Sequence, residues 1–70
     1  MRITYDPEAD ALYIRFVEAT VTTKPLAERI AADYDAKGRL AGIEILDAMR
    51  RFGDKRTLKT ITLEEIGLSS

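Results

Sequence analysis

Five carboxylates stand in the most distinctive runs of the chain: Asp6, Asp10, Asp33, Glu44 and Asp47. Oxygen-only ligands suit Mg²⁺, Ca²⁺ or Mn²⁺, and two carboxyls held at different pKa values can divide the work of general acid and general base. Turn chemistry explains them more simply. Asp6 and Asp10 flank Pro7-Glu8-Ala9, where side-chain oxygens cap backbone N–H groups. Asp33 lies beside a hairpin, and Asp47 stands where a helix needs its N-cap. Their spacing matches no calcium loop. No catalytic residue, metal-ligand set or cofactor site is therefore assigned. The chain has no Cys and no His, which excludes disulfide scaffolds, thiolate nucleophiles, zinc fingers and histidine-based triads. Ser occurs only at Ser69 and Ser70.

The elements that must hold these residues are mainly strands. Ile3 and Tyr5 share one side of an alternating run, as do Leu12, Ile14 and Phe16 of a second, so residues 2–17 read as two antiparallel strands joined by the turn Asp6–Asp10. Residues 18–27 carry β-branched residues without a clean period and include Pro25, which predicts a loop or a ragged edge. Asp35-Ala36-Lys37-Gly38-Arg39 then separates Ile30–Tyr34 from Leu40–Leu46. Asp at the turn start with Gly three positions on is the pattern of a three-residue hairpin closed by a left-handed glycine. Asp47 caps a short helix over Ala48–Phe52 that Gly53 stops, and Thr57–Leu63 suits a fifth strand. A last helical turn over Glu64–Leu68, capped by Thr62, is expected after it. The predicted class is α+β, mainly β: an antiparallel four- to five-stranded meander in a single domain, with a short helix after strand 4.

If Asp35 faces Arg39, Ala32 opposes Gly42, Ile30 opposes Glu44 and Ala31 opposes Ile43. One face then carries Ile30, Ala32, Tyr34, Leu40, Gly42, Glu44 and Leu46, and the other Ala31, Ala41, Ile43 and Ile45. Both are largely apolar, so each needs a cover. Glu44 would sit among apolar neighbours and needs a partner: Arg29, Arg15, a backbone donor or a group on a second subunit. Gly42 opposite Ala32 makes a thin spot where another group can approach. Tyr13, like Tyr5 and Tyr34, is better read as a core aromatic with a wet hydroxyl than as a stacking platform.

At 70 residues and 7.9 kDa, one core rarely supplies more than about 3–5 kcal/mol without a disulfide or a metal, and this chain has no such staple. A sheet apolar on two sides is most simply completed by another copy, so a homo-oligomer is expected, built through strand 40–46 or the C-terminal segment. Charge is balanced at −1 overall, but residues 50–59 hold five basic groups against Asp54. A solvated basic face explains that segment best, and nucleic acid is disfavoured as a partner. No apolar run approaches a membrane span and no signal peptide is recognisable, which predicts a cytoplasmic protein.

Tyr5-Asp6-Pro7-Glu8-Ala9-Asp10-Ala11-Leu12-Tyr13-Ile14, followed by Asp33–Ala48 with its Gly42-Ile43-Glu44-Ile45-Leu46-Asp47-Ala48 run, resembles the bacterial and archaeal domain-of-unknown-function family numbered 2283. The resemblance covers residues 1–50. Beyond Arg51 the chain departs from the lysine-rich helical tail associated with many members. The resemblance implies a small, mainly β domain of unsettled activity. It also implies, through members encoded beside small toxin-like proteins, an antitoxin or partner-binding role. The expected function is a non-catalytic oligomeric interaction module whose interface or buried polar positions are Glu44, Asp10, Asp6, Tyr13, Asp47, Gly42, Ile43 and Ile45. The alternative is a small carboxylate- or metal-dependent enzyme with its site at a subunit boundary.

Overall fold

The computed structural model describes residues 1–64 and Gly67. Five strands make one antiparallel sheet: β1 (Arg2–Asp6), β2 (Ala11–Arg15), β3 (Thr22–Ala27), β4 (Ile30–Tyr34) and β5 (Leu40–Leu46). A short helix α1 (Ala48–Phe52) and a 3₁₀ turn (Lys55–Leu58) follow. The strand order is β1-β2-β5-β4-β3. The mainly β class holds, and the short helix follows the Leu40–Leu46 strand as expected. The path departs from a plain meander in one step, because the chain leaves β2 for the far edge and works back, so that the apolar β5 fills the centre. There its N–H and C=O groups find partners on both sides.

Both predicted turns form. Asp35 Oδ1 accepts from the N–H groups of Lys37 and Arg39, each at 2.9 Å, and Gly38 takes φ 79°, which lets the hairpin close in three residues. Asp6 Oδ1 accepts from Glu8 N–H at 3.0 Å in the first turn. The ragged segment is the edge strand β3, exposed along its whole length, with a register shift between Pro25 and Ala27.

Two expectations fail locally. Thr57–Leu63 is not a strand: Asp54 accepts from Arg56 N–H at 2.8 Å and winds the chain into the 3₁₀ turn, after which residues 59–64 carry no strand. β-branched composition does not make a strand without a ladder partner. Three of the five residues expected as a last helical turn, Glu65, Ile66 and Leu68, lie outside the described residues. Asp47 occupies the N-cap position of α1, but in a left-handed conformation (φ 54°) and without a capping hydrogen bond. The cap arrives from Asp10 instead, whose backbone carbonyl accepts from Ala48 N–H and whose carboxylate accepts from Met49 N–H, both at 3.0 Å.

The largest correction concerns register. Tyr34 opposes Leu40, but the next pair is Asp33 with Gly42, then Ala32 with Ile43, Ala31 with Glu44 and Ile30 with Ile45, in place of the expected Ala32–Gly42, Ala31–Ile43 and Ile30–Glu44 pairs. Ala41 is an extra residue in β5, a bulge whose carbonyl accepts from both Phe16 and Val17 N–H. With a side-chain period of two, one inserted residue swaps every position beyond it to the other face. The sheet is therefore not apolar front and back. One face, the isoleucine face, gathers Ile3, Tyr5, Leu12, Ile14, Ile30, Ala32, Ile43 and Ile45. The opposite, polar face carries Arg2, Thr4, Asp6, Tyr13, Arg15, Thr23, Asp33 and Glu44, interspersed with Ala11, Pro25, Ala31, Gly42 and Leu46.

The isoleucine face is incompletely covered. Among the described residues, the buried apolar side chains are Leu12, Ala32, Ala41 and Ala48, and no large side chain is fully buried. The chain forms a slab of 35 × 30 × 18 Å. The sheet thus has one half-covered apolar face, not the two expected to need a cover.

Candidate functional site

The polar face is organised by Asp33, the fourth residue of β4, which is only 5% exposed. A carboxylate placed there is costly unless its oxygens are met by donors. Register supplies them, because Thr23 of β3 lies directly beside Asp33 and Tyr13 of β2 reaches it across β5. The Tyr13 hydroxyl donates to Oδ2, and the Thr23 hydroxyl donates to Oδ1 at 2.5 Å. Gly42 makes the crossing possible. A Cβ there would stand 2.8 Å from the Tyr13 hydroxyl oxygen and 2.9 Å from the Ile14 carbonyl oxygen. The thin spot expected at Gly42 is real, with Asp33 rather than Ala32 opposite, and what passes over it is the tip of Tyr13.

Arg15 extends the row. Its guanidinium lies 5.0 Å from the centre of the Tyr13 ring and pairs with Glu18 at 2.7 Å, while Arg2 holds the same Glu18 at 3.2 Å. Arg15 Nε is buried and has no hydrogen-bond partner among the described residues. The hydrogen bonds from Thr23 and then Tyr13 hold the Asp33 carboxyl below its ordinary range. The bond to Asp33 pushes the Tyr13 phenol above its own. Both shifts act against reactivity: the carboxyl is a poorer acid donor near neutral pH and the phenol is harder to ionise. The row Arg15–Tyr13–Asp33–Thr23 therefore works as a polar strut tying β2, β4 and β3 together across β5.

The other predicted positions are scattered. Asp10 accepts from the Tyr5 hydroxyl at 2.6 Å as well as from Met49 N–H; these bonds lower its pKa and raise that of Tyr5. Asp47 pairs with Arg29 at 3.1 Å. Asp6 is spent on its own turn, and Ile43 and Ile45 lie on the isoleucine face. No three carboxylates converge to hold a metal ion among the described residues. Glu44 is on the polar face between Tyr13 and Ala31, so of its expected apolar neighbours Ile30, Tyr34 and Leu40 lie on the other face and Leu46 alone shares its own. Neither Arg15 nor Arg29 is its partner, since Glu18 and Asp47 hold them. Beside Glu44 lies a shallow hollow of about 290 Å³ whose lining includes Pro25, Ala31, Leu46, Thr23 and Arg29.

The sequence singles out neither Thr23 nor Glu18, and it offers Arg15 only as a partner for Glu44. The available signal was Asp33 itself, a carboxylate inside an otherwise apolar strand, which demands donors from its neighbours. In the same run, a glycine in mid-strand marks a close approach.

The model of a family described as "Protein of unknown function (DUF2283)" matches residues 2–48. The chain belongs to the DUF2283 family. That span holds all five strands and ends at the first residue of α1, so the strut and the isoleucine face are both features of the family-matched region, and the basic segment is not. No curated protein and no solved structure matches the chain. No helix among the described residues is long and apolar enough to cross a membrane.

Proposed function

We propose that this DUF2283 domain is a non-catalytic interaction module that pairs with a second copy of itself through the isoleucine face. The observation that carries this reading is the state of the core. Ile3, Ile14, Ile30, Ile43 and Ile45 lie on one side of the sheet, all of them only half-buried, while the buried apolar residues among those described are one leucine and three alanines. A face on a slab of 35 × 30 Å can cover on the order of the 800 Å² per partner that a standard interface needs. A two-fold pairing of identical sheets brings each isoleucine row against its own copy, the arrangement that a sheet-on-sheet sandwich uses to build its core.

Binding is favoured over carboxylate or metal catalysis because each of Asp6, Asp10, Asp33 and Asp47 is engaged in turn, cap, strut or ion-pair contacts, and Glu44 stands apart from them. The family resemblance adds a small protein as the partner, in an antitoxin-like role, and the cytoplasm is the location expected from the sequence. Sedimentation equilibrium tests the pairing directly. A dimer mass is expected for the wild type at low micromolar concentration, and a monomer for Ile43→Glu. A wild-type monomer would sink the reading.

A further inference from the structure

We propose that the hollow beside Glu44 on the polar face docks a basic side chain, Arg or Lys, carried by a short segment of a protein partner. The inference deepens the module reading and rests on it for one point, that the isoleucine face is taken by a second copy and the polar face remains open. Its chemistry comes from the hollow itself. Ala31, Pro25 and Leu46 in its lining are apolar neighbours for the methylene stem of a long cation. Glu44 supplies the charge. It is half-buried, it makes no ion pair among the described residues, and both cations within reach by register or by the hollow's lining are held elsewhere: Arg15 by Glu18 and Arg29 by Asp47. A carboxylate at the edge of an apolar depression, with no cation left to it, is the complement of an amphipathic cation rather than of a phosphate or an acidic peptide.

The neighbouring edge also fixes the mode of binding. Pro25 removes a donor from β3, and the ladder shifts between Pro25 and Ala27, features that discourage a partner from adding a strand. Recognition therefore runs through side chains, with the cation as anchor.

The test uses the full chain and a fluorescein-labelled peptide of alternating Leu and Arg, followed by fluorescence anisotropy. Wild type should bind it saturably, and Glu44→Gln should weaken binding by about tenfold or more. Replacing the Arg residues of the peptide with citrulline, which keeps the shape and removes the charge, should do the same. If circular dichroism shows Glu44→Gln unfolded, Leu46→Lys, which places a competing cation in the hollow, should give the same loss. No binding by wild type, or equal binding by wild type and variant, overturns the proposal. So does a change of oligomer mass in a folded Glu44→Gln, which would assign the hollow to a second copy. A monomeric wild type that still binds the peptide through Glu44 would instead sink the self-association reading and leave the hollow standing.

Discussion

The two faces of the sheet are built from the same five strands and are stabilised in opposite ways. On the polar face the buried charge is met within one chain: Asp33 accepts from two hydroxyls, Arg15 meets Glu18, and Gly42 clears the path of Tyr13, while Glu44 makes no ion pair among the described residues. The isoleucine face is satisfied only in part, with Phe16 at its rim 37% exposed and five isoleucines half-covered. Polar groups brought into a sheet must find specific partners or the fold fails, whereas apolar groups tolerate incomplete cover until another surface meets them. The buried charge is therefore closed within the chain, and the half-covered isoleucine face is the one proposed above for self-association.

The sharpest way to break this contrast is a charge on the isoleucine face. Ile43→Glu should abolish the dimer in sedimentation, because an unpaired carboxylate at the centre of an apolar interface has no donor to meet it. A dimer that survives would move association to another surface. Next in size is Gly42→Ala on the polar face. Its Cβ would press on the Tyr13 hydroxyl and on the Ile14 carbonyl, and the carbonyl belongs to backbone that cannot swing aside. A loss of about 1–3 kcal/mol in denaturant unfolding is expected from overpacking alone. An unchanged midpoint would show that the strut is slack.

What sequence reveals of these two faces depends on whether the cause is local. The Asp35–Gly38 turn, the Asp6 turn and the Gly53 stop are each set by one or two side chains acting on their own backbone, and all are readable. The face assignment is not, because it hinges on the extra residue Ala41, and that bulge is held by N–H groups of Phe16 and Val17, which follow β2 and lie more than twenty residues away in the chain. The same non-locality hides the cap of α1: Asp47 has the right type and position, yet Asp10 does the work after the chain has crossed the sheet. The edge strand β3 escapes a period-two reading for a different reason. It is exposed throughout, so no alternation is imposed on it. Conversely, Thr57–Leu63 has the composition of a strand and no ladder to join.

Tyr13→Phe separates the strut's hydrogen bond from its shape. The ring still packs under Arg15, but Asp33 keeps only the Thr23 hydroxyl. A buried carboxylate oxygen left without its donor should cost about 1–3 kcal/mol, at or below the cost of Gly42→Ala, which strains the backbone and displaces the tyrosine as well. If Tyr13→Phe proves neutral, water has replaced the hydroxyl, and the polar face is more open than its geometry suggests.

The smallest effect expected is a pH dependence. Hydrogen bonds from Thr23 and Tyr13 depress the folded-state pKa of Asp33, so the unfolded chain binds the proton more readily. The stability this provides is present above the ordinary Asp value of about 4 and is lost as pH falls through the lower folded value. Tyr13 behaves in the opposite sense. Its folded pKa is raised by the bond to Asp33, so its contribution is complete below about 10 and disappears as pH rises through the folded value. Between those limits the strut should add no slope. Urea midpoints measured for wild type and Asp33→Asn, with the isoleucine face silenced by Ile43→Glu in both, isolate the polar face from the assembly. The difference between the two proteins should shrink on acidification below pH 4. A difference that stays constant there would mean that the charge on Asp33 is not what the two hydroxyls stabilise.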